Sequence, residues 1–277
     1  MITELSQELG RAGTGRSSDC FASVHTTKAL ISFAAAVSVS SLTMSHVGDH
    51  RVAGGGPKGA LFDVDGTLVD SMPRFYPAWN ETGATHGGLS MSLDEFYAFG
   101  GWPLDAIVRE LHRRCLDGSE ADDAFVATFL AAHRAITDAN EKAAGPPPVI
   151  ACTAAVARAH AAAGVPVVAA TSGNRAHVER HLAAAGLGDL FPPDRIITAA
   201  DLPPGRGKPE PDIFLRAAQL CGCDPRDCVA YEDAEAGLQS AHAAGCEVID
   251  VRDMAGYPLP DALKKAAEAQ RAARTWL

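Results

Sequence analysis

From residue 58 onward, short apolar runs alternate with alanine-rich segments, and this alternation constrains the fold more than any other feature of the sequence. The apolar runs have the length and unbroken apolar character of strands that are covered on both faces. The alanine-rich segments have helical character, and each is followed by a glycine, which readily adopts the left-handed conformation at a helix end. The predicted strands are 59–62, 165–170, 195–198, 228–231 and 247–250, and the predicted helices are 153–163, 175–185, 211–221 and 234–244.

Strand, helix and glycine repeated in this order are typical of a Rossmann-like, doubly wound parallel sheet with helices on both faces. We therefore predict an α/β core over residues 58–71 and 146–277. Residues 72–145 interrupt the alternation, because apolar side chains recur there at helical spacing and no strand is indicated. A run of prolines over 146–148 forms a stiff boundary after this segment. We predict that it forms a small all-helical cap inserted after the first strand.

The first 57 residues differ in texture from the rest. They are rich in Ser, Thr, Gly and Ala, carry four acidic and four basic side chains, and show no sustained periodicity. Residues 29–44 are uncharged, but serines and a threonine dilute them, and a membrane span needs roughly 20 mostly apolar residues. We interpret residues 1–57 as a disordered leader or as sequence upstream of a start at Met44, with an organelle transit peptide as the alternative. We expect a cytoplasmic protein, or an organellar one under that alternative, and no membrane association.

The net charge and the cysteine content indicate which partners and which redox compartment are expected for the chain. The chain has 34 acidic and 24 basic residues and a formal net charge of −10, so electrostatic binding of nucleic acid is not expected. Seven cysteines in 277 residues are an odd and sparse set, unlike that of a secreted disulfide scaffold. This content indicates free thiols in a reducing compartment. The sequence leaves the oligomeric state open, and we favour a monomer.

Polar residues follow three of the predicted strands at their carboxyl ends, where ligands bind in an open α/β sheet. Four of them are carboxylates, which would repel one another unless they were protonated or shared a cation. A ligand set made only of oxygens favours a hard ion such as Mg²⁺. With a lysine and a hydroxyl nearby, such a site suits a phosphoryl group. The residues are Asp63, Asp65, Thr171, Ser172, Glu232 and Asp233, together with Lys208 from a loop.

Four motifs in this order make the chain similar to the haloacid-dehalogenase-like (HAD) hydrolases. Residues 63–71, Asp-Val-Asp-Gly-Thr-Leu-Val-Asp-Ser, resemble the first motif of that family. Thr171, Lys208 in Gly-Lys-Pro-Glu-Pro-Asp, and the pair at 232–233 resemble the second, third and fourth motifs. The helical insertion is similar to the small cap of the sugar-phosphatase and β-phosphoglucomutase branch. The resemblance covers roughly residues 58–250, and four ordered motifs are far more specific than one pair of aspartates.

The resemblance implies a role for each matched residue. Asp63 would attack phosphorus and become an aspartyl-phosphate, and Asp65 would act first as general acid and then as general base. Thr171 would donate its hydroxyl to a phosphoryl oxygen, and Lys208 would hold the phosphoryl group. Mg²⁺ would be held by the Asp63 side chain, the Asp65 main-chain carbonyl and Asp233, with Glu232 nearby or acting through water.

The resemblance leaves two reactions open, and it implies a small phosphorylated metabolite as the partner. Related mutases pair a cap histidine with a lysine, and Phe75 and Asn174 stand at the corresponding positions here. This favours a phosphatase acting on a small phosphate monoester, such as a sugar phosphate, over a β-phosphoglucomutase-like mutase. Gly101 and Trp102 lie in a stretch similar to the cap loop that faces the active site, and Ser172 is a further substrate-binding candidate. Trp102 would stack on a sugar or would instead anchor the core of the cap.

Other polar residues are given structural roles. Asp70 and Ser71 are expected to cap the first helix of the cap, with a substrate role as the alternative. Asp212 is expected to begin a core helix, with a ligand role as the alternative. The cysteines near residue 223 have no matching Cys or His pair that would complete a zinc site. No histidine stands at a strand end, so none is assigned to catalysis.

Overall fold

The computed structural model describes residues 56–275, with the side chains of residues 261, 262, 265 and 266 left out. The predicted leader over 1–57 therefore lies almost entirely outside the described residues, as does the uncharged stretch over 29–44. Between residues 56 and 275, no helix is both long enough and apolar enough to cross a lipid bilayer.

A five-stranded parallel sheet lies at the centre of the core, in the strand order β3-β2-β1-β4-β5. The register places Phe62, the last residue of β1, opposite Ala169 of β2 and Tyr231 of β4. The segments that follow these three strands therefore leave the sheet side by side. This arrangement confirms the predicted Rossmann-like fold class. The strands are β1 (Gly59–Phe62), β2 (Val167–Thr171), β3 (Ile196–Thr198), β4 (Cys228–Glu232) and β5 (Glu247–Asp250).

Nine α-helices occur within the described residues, and five of them lie between β1 and β2. Asp212 begins a helix, as predicted, and Gly222 at the end of that helix has the left-handed φ of 72°. Every predicted strand and core helix is present with bounds within two residues of those expected. A last helix, near the carboxyl terminus, was not predicted. The helices are α1 (Met72–Thr85), α2 (Leu93–Ala98), α3 (Leu104–Cys115), α4 (Asp123–Ala144), α5 (Ala151–Ala162), α6 (Arg175–Ala184), α7 (Asp212–Cys221), α8 (Glu235–Ala243) and α9 (Asp261–Ala272).

Apolar layers cover both faces of the sheet. Ala60 and Phe62 of β1 belong to one buried cluster, in which the Phe62 ring stacks on Tyr231 with centroids 4.5 Å apart. Leu61 points to the opposite cluster, where it joins Phe214 of α7. Successive side chains of β1 point to opposite faces of the sheet, because a strand has a two-residue period. Since both faces are covered, every residue of β1 is apolar or a glycine.

Helices α1 to α4 contain a third apolar cluster that includes Trp79, Phe96, Leu111 and Phe129. A separate cluster in this segment agrees with the expected helical cap. The domain limits at residues 72 and 145 stay a prediction.

Candidate active site

The chain turns sharply after β1, and this turn places Asp63 and Asp65 at the edge of the sheet. The backbone N–H of Asp63 donates to the carbonyl of Tyr231 at 3.0 Å, which continues the strand pairing by one residue. Gly66 has a φ of 89°, a conformation that favours glycine, and a Cβ at this position would overlap the carboxylate of Asp233. A glycine at position 66 therefore allows the first loop to approach the loop after β4.

Lys208 lies between two carboxylates and is fully buried. Its Nζ donates to Oδ1 of Asp63 at 2.5 Å and to Oε1 of Glu232 at 2.6 Å. The second oxygen of Glu232 accepts a hydrogen bond from the backbone N–H of Ala234 at 2.8 Å. Glu232 is thus held on both sides, and it keeps Lys208 against Asp63.

The buried charges shift one another's ionisation. Burial raises the pKa of Asp63 well above its ordinary value, with Lys208 opposing the shift and Glu232 and Asp233 adding to it. Burial alone would lower the pKa of Lys208, but the carboxylates of Asp63 and Glu232 raise it. Burial, assisted by Glu232, raises the pKa of Asp233 to about 8. The ammonium group of Lys208 therefore does not by itself neutralise the three carboxylates.

Asp63, Glu232 and Asp233 form a group that fits a divalent cation. One carboxylate oxygen from each lies within 4.8 Å of the other two, and all three residues are buried. The hydroxyl of Thr67 donates to Oδ1 of Asp233 at 2.8 Å and orients this carboxylate. An oxygen-only donor set with excess negative charge is the kind of site that Mg²⁺ prefers. These three carboxylates could therefore hold a metal ion, and the assignment of Mg²⁺ to specific ligands stays a prediction.

Asp65 contacts two residues that the sequence analysis did not place at the site. Ser71 donates its hydroxyl to Oδ1 of Asp65 at 2.7 Å, and Nδ1 of the buried His181 lies 3.7 Å from the same oxygen. His181 also bonds through Nε2 to Glu141 of α4 at 2.6 Å. Burial would lower the pKa of His181, but Asp65 and Glu141 raise it.

The predicted capping role of Ser71 is wrong. Ser71 precedes α1, yet its side chain makes no capping hydrogen bond to the helix. Its hydroxyl turns back to Asp65 instead. Nothing in the local sequence separates the two uses, because a serine before a helix is the usual capping pattern. His181 was missed for a similar reason, since it lies within the last turn of α6, three residues before the final residue Ala184, and not at a strand end.

Thr171 and Ser172 follow one another at the end of β2. Thr171 is buried, and its Oγ1 accepts a hydrogen bond from the backbone N–H of Gly173 at 3.0 Å. Ser172 donates to the carbonyl of Gly101 at 2.9 Å, which joins the core to the loop between α2 and α3. A Cβ at Gly173 would lie 2.7 Å from Oδ2 of Asp65, so this backbone also approaches the second aspartate closely.

A cavity of about 410 Å³ extends from the carboxylates toward helices α1 to α4. Asp63, Asp65, Thr171 and Asp233 are among the residues that line it, and apolar residues of the helical segment form much of the remaining wall. Trp102 also lines the cavity, is 38% exposed, and packs edge-on against Phe99 with ring centroids 5.4 Å apart. Its position therefore agrees with both alternatives considered for this residue.

Known proteins share the sequence pattern and the architecture. A family model described as haloacid dehalogenase-like hydrolase matches residues 57–245. Hexitol phosphatase A of Escherichia coli (strain K12) is 38% identical over 201 residues, which cover 73% of this chain and 86% of that protein. Fructose-1-phosphate phosphatase YqaB of the same organism is 32% identical, with coverages of 70% and 96%. A solved structure, a putative β-phosphoglucomutase from Bacteroides vulgatus, shares the fold with a TM-score of 0.63 at 21% identity, over 84% of this chain and 88% of that one.

Proposed function

Because the chain belongs to the haloacid dehalogenase-like hydrolases, we propose that it is a phosphatase that hydrolyses a small phosphate monoester through an aspartyl-phosphate. The observation that carries this proposal is the contact of the buried Lys208 with Asp63 at 2.5 Å, beside the carboxylate of Asp233. A nucleophile, a cation and a metal-binding acid from three loops meet there. The names of the hexitol and fructose-1-phosphate phosphatases support a sugar phosphate as the substrate class.

In the first step, a carboxylate oxygen of Asp63 attacks phosphorus and the bond from phosphorus to the leaving oxygen breaks. Lys208 contacts Oδ1 of Asp63, which leaves Oδ2 for the attack. Thr171 lines the same cavity and would donate its hydroxyl to a phosphoryl oxygen. Asp65 transfers its proton to the leaving alkoxide, which departs as the alcohol.

In the second step, the ionised Asp65 accepts a proton from water while the water oxygen attacks the phosphorus of the aspartyl-phosphate. The acyl phosphate bond then breaks, inorganic phosphate forms, and the Asp63 carboxylate is restored. The hydrogen bond from Ser71 fixes the orientation of Asp65 during both transfers. His181, 3.7 Å away, supports Asp65 from the side of α6.

The proposed cofactor is Mg²⁺, held by Asp63, Asp233 and the main-chain carbonyl of Asp65. When bound, the ion neutralises charge on the phosphoryl oxygens. Both oxygens of Glu232 already accept hydrogen bonds from Lys208 and Ala234, so Glu232 acts chiefly by positioning the lysine.

Hydrolysis is favoured over phosphoryl exchange between positions of a sugar. Asn174, which stands where related mutases carry a lysine, accepts a hydrogen bond from the backbone N–H of Ala176 at 3.1 Å and thereby caps α6. Phe75, at the position of the mutase histidine, lines the cavity with an apolar ring. Neither side chain can protect or redirect a phosphorylated enzyme in the way that a histidine and lysine pair would.

The proposal is tested by incubating the protein with Mg²⁺ and a panel of hexitol, ketose and aldose phosphates. Phosphate release and isomer formation are measured separately. We expect phosphate release that EDTA abolishes and added Mg²⁺ restores. Asp63→Asn should lower the rate by on the order of a thousandfold or more. The matched control is Asp224→Asn, which alters an aspartate that pairs with Arg226 on the surface.

Two results would contradict the proposal. One is a folded wild-type protein that releases no phosphate from any member of the panel. The other is an Asp63→Asn variant as active as Asp224→Asn. Isomer formation with little free phosphate would instead support the mutase.

A further inference from the structure

Two polar side chains of α4 lie in the apolar part of the cavity. His133 and Thr137 are one helical turn apart and therefore lie on the same side of α4. Both line the cavity that contains Asp63, and they are only 8% and 3% exposed. The ring of Trp79 packs on the imidazole of His133 with centroids 4.4 Å apart. Polar groups in such surroundings are costly unless they form hydrogen bonds.

Each of these side chains carries a polar atom without a hydrogen-bond partner. Nδ1 of His133 and Oγ1 of Thr137 are buried, and no group between residues 56 and 275 forms a hydrogen bond with them. Other helical threonines satisfy themselves locally, since Thr82 and Thr128 donate to the carbonyl four residues earlier at 2.7 and 2.8 Å. Thr137 lacks this bond, so its hydroxyl remains available to a ligand in the cavity.

The imidazole of His133 is neutral near pH 7. Burial lowers the pKa of His133 to about 4, although the backbone carbonyl of Ala78 opposes the shift. This side chain therefore recognises a ligand by hydrogen bonding and not by charge. A neutral imidazole next to a hydroxyl suits an alcohol, which is both a donor and an acceptor.

We propose that His133 and Thr137 bind a hydroxyl group of the leaving alcohol, and that this pair selects hydroxylated phosphate monoesters. The inference rests on the proposed phosphatase function and names its substrate class. The alcohol would carry a hydroxyl remote from the ester, and its C–H groups would contact the aromatic wall around Trp79 and Trp102. A monoester without that hydroxyl would leave both buried atoms unpaired, which is an effective means of rejection.

The test compares two substrates of different chemistry, a hexitol phosphate and phenyl phosphate, which has no hydroxyl. The quantity measured is the ratio of kcat/KM for the first substrate to that for the second. Thr137→Val removes the hydroxyl and keeps the shape, and His133→Phe keeps a ring that can pack on Trp79. We expect each variant to lower the ratio at least tenfold, mainly through a higher KM for the hexitol phosphate. The control is Thr128→Val, an exposed threonine of the same helix, for which the ratio should stay within twofold of wild type.

The ratio is insensitive to the fraction of folded enzyme, because partial unfolding lowers both rates together. One outcome is that wild type hydrolyses both substrates and that Thr137→Val and His133→Phe leave the ratio unchanged. The two side chains would then not bind a substrate hydroxyl group, and the phosphatase proposal would still stand. Hydrolysis of phenyl phosphate alone would likewise overturn the pair's role. If wild type hydrolyses neither these two substrates nor any other phosphate ester, the proposed function itself fails.

Discussion

Replacing Lys208 with methionine is expected to destabilise the protein as well as inactivate it. The lysine is fully buried, and its Nζ contacts Asp63 at 2.5 Å and Glu232 at 2.6 Å. Methionine fills similar space but leaves two buried carboxylates without their cation. Removing one partner of a buried ion pair costs about 3–5 kcal/mol. For a domain of this size, such a loss corresponds to a fall in the unfolding temperature on the order of 10 °C.

The loss of stability should depend on pH. The pKa of Asp63 is already raised in the folded protein, and Lys208 is the group that opposes this shift. Without the lysine the pKa rises further, so the folded variant binds a proton that the unfolded chain releases above about pH 4. A folded state that binds more protons loses stability as pH rises. The difference between wild type and Lys208→Met should therefore be larger at pH 8 than at pH 5.

Urea unfolding in EDTA at pH 5 and pH 8 measures both effects. Lys58→Met is the matched control, because Lys58 pairs with Asp227 at 2.8 Å but is 67% exposed, and its midpoint should stay close to that of wild type. Adding Glu232→Gln to Lys208→Met should recover part of the stability by removing one of the two unpaired charges. Equal midpoints for the two lysine variants at pH 8 would refute the reasoning, since the carboxylates would then not depend on Lys208.

Three other outcomes are expected. Without metal, the free energy of unfolding measured with urea should fall from pH 5 to pH 8, because the pKa of Asp63 is raised and that of Asp233 is raised to about 8. Mg²⁺ should reduce this fall by binding the folded state. A free energy of unfolding that does not change with pH would contradict this expectation. Ser71→Ala should lower kcat by about tenfold in steady-state kinetics, because the hydrogen bond to Asp65 is lost. The midpoint of thermal unfolding should change little, because no capping bond is lost. A lower midpoint with unchanged kcat would indicate a capping role instead. Gly66→Ala should weaken Mg²⁺ binding, measured by calorimetric titration, because its Cβ would displace the Asp233 carboxylate; unchanged affinity would mean that the loop can relax.

Much of the candidate site was predictable because it depends on topology. Parallel strands end at one edge of a sheet, so the acids after β1 and β4 had to lie near each other once the strands were identified. The contact of Lys208 with Asp63 and Glu232 needed more than topology, and only its match to an ordered motif series placed it there. The proposed catalytic roles of these residues stay predictions until the kinetic tests are made.

Local sequence pattern was enough to predict the five strands, the four core helices that alternate with them and the acids at the strand ends, because apolar period and glycine position act over a few neighbouring residues. The same pattern did not indicate helix α9. The hydrogen bond of Ser71 to Asp65, in place of a bond to its own helix, became evident from the three-dimensional packing, as did the position of His181 of α6 at 3.7 Å from the same acid. His133 and Thr137 are not distinguished from other helical residues by the sequence of α4, and their position in the cavity is evident only from the folded structure. Contacts between side chains that are distant along the chain depend on how the helices pack, and no local pattern of residues encodes that packing.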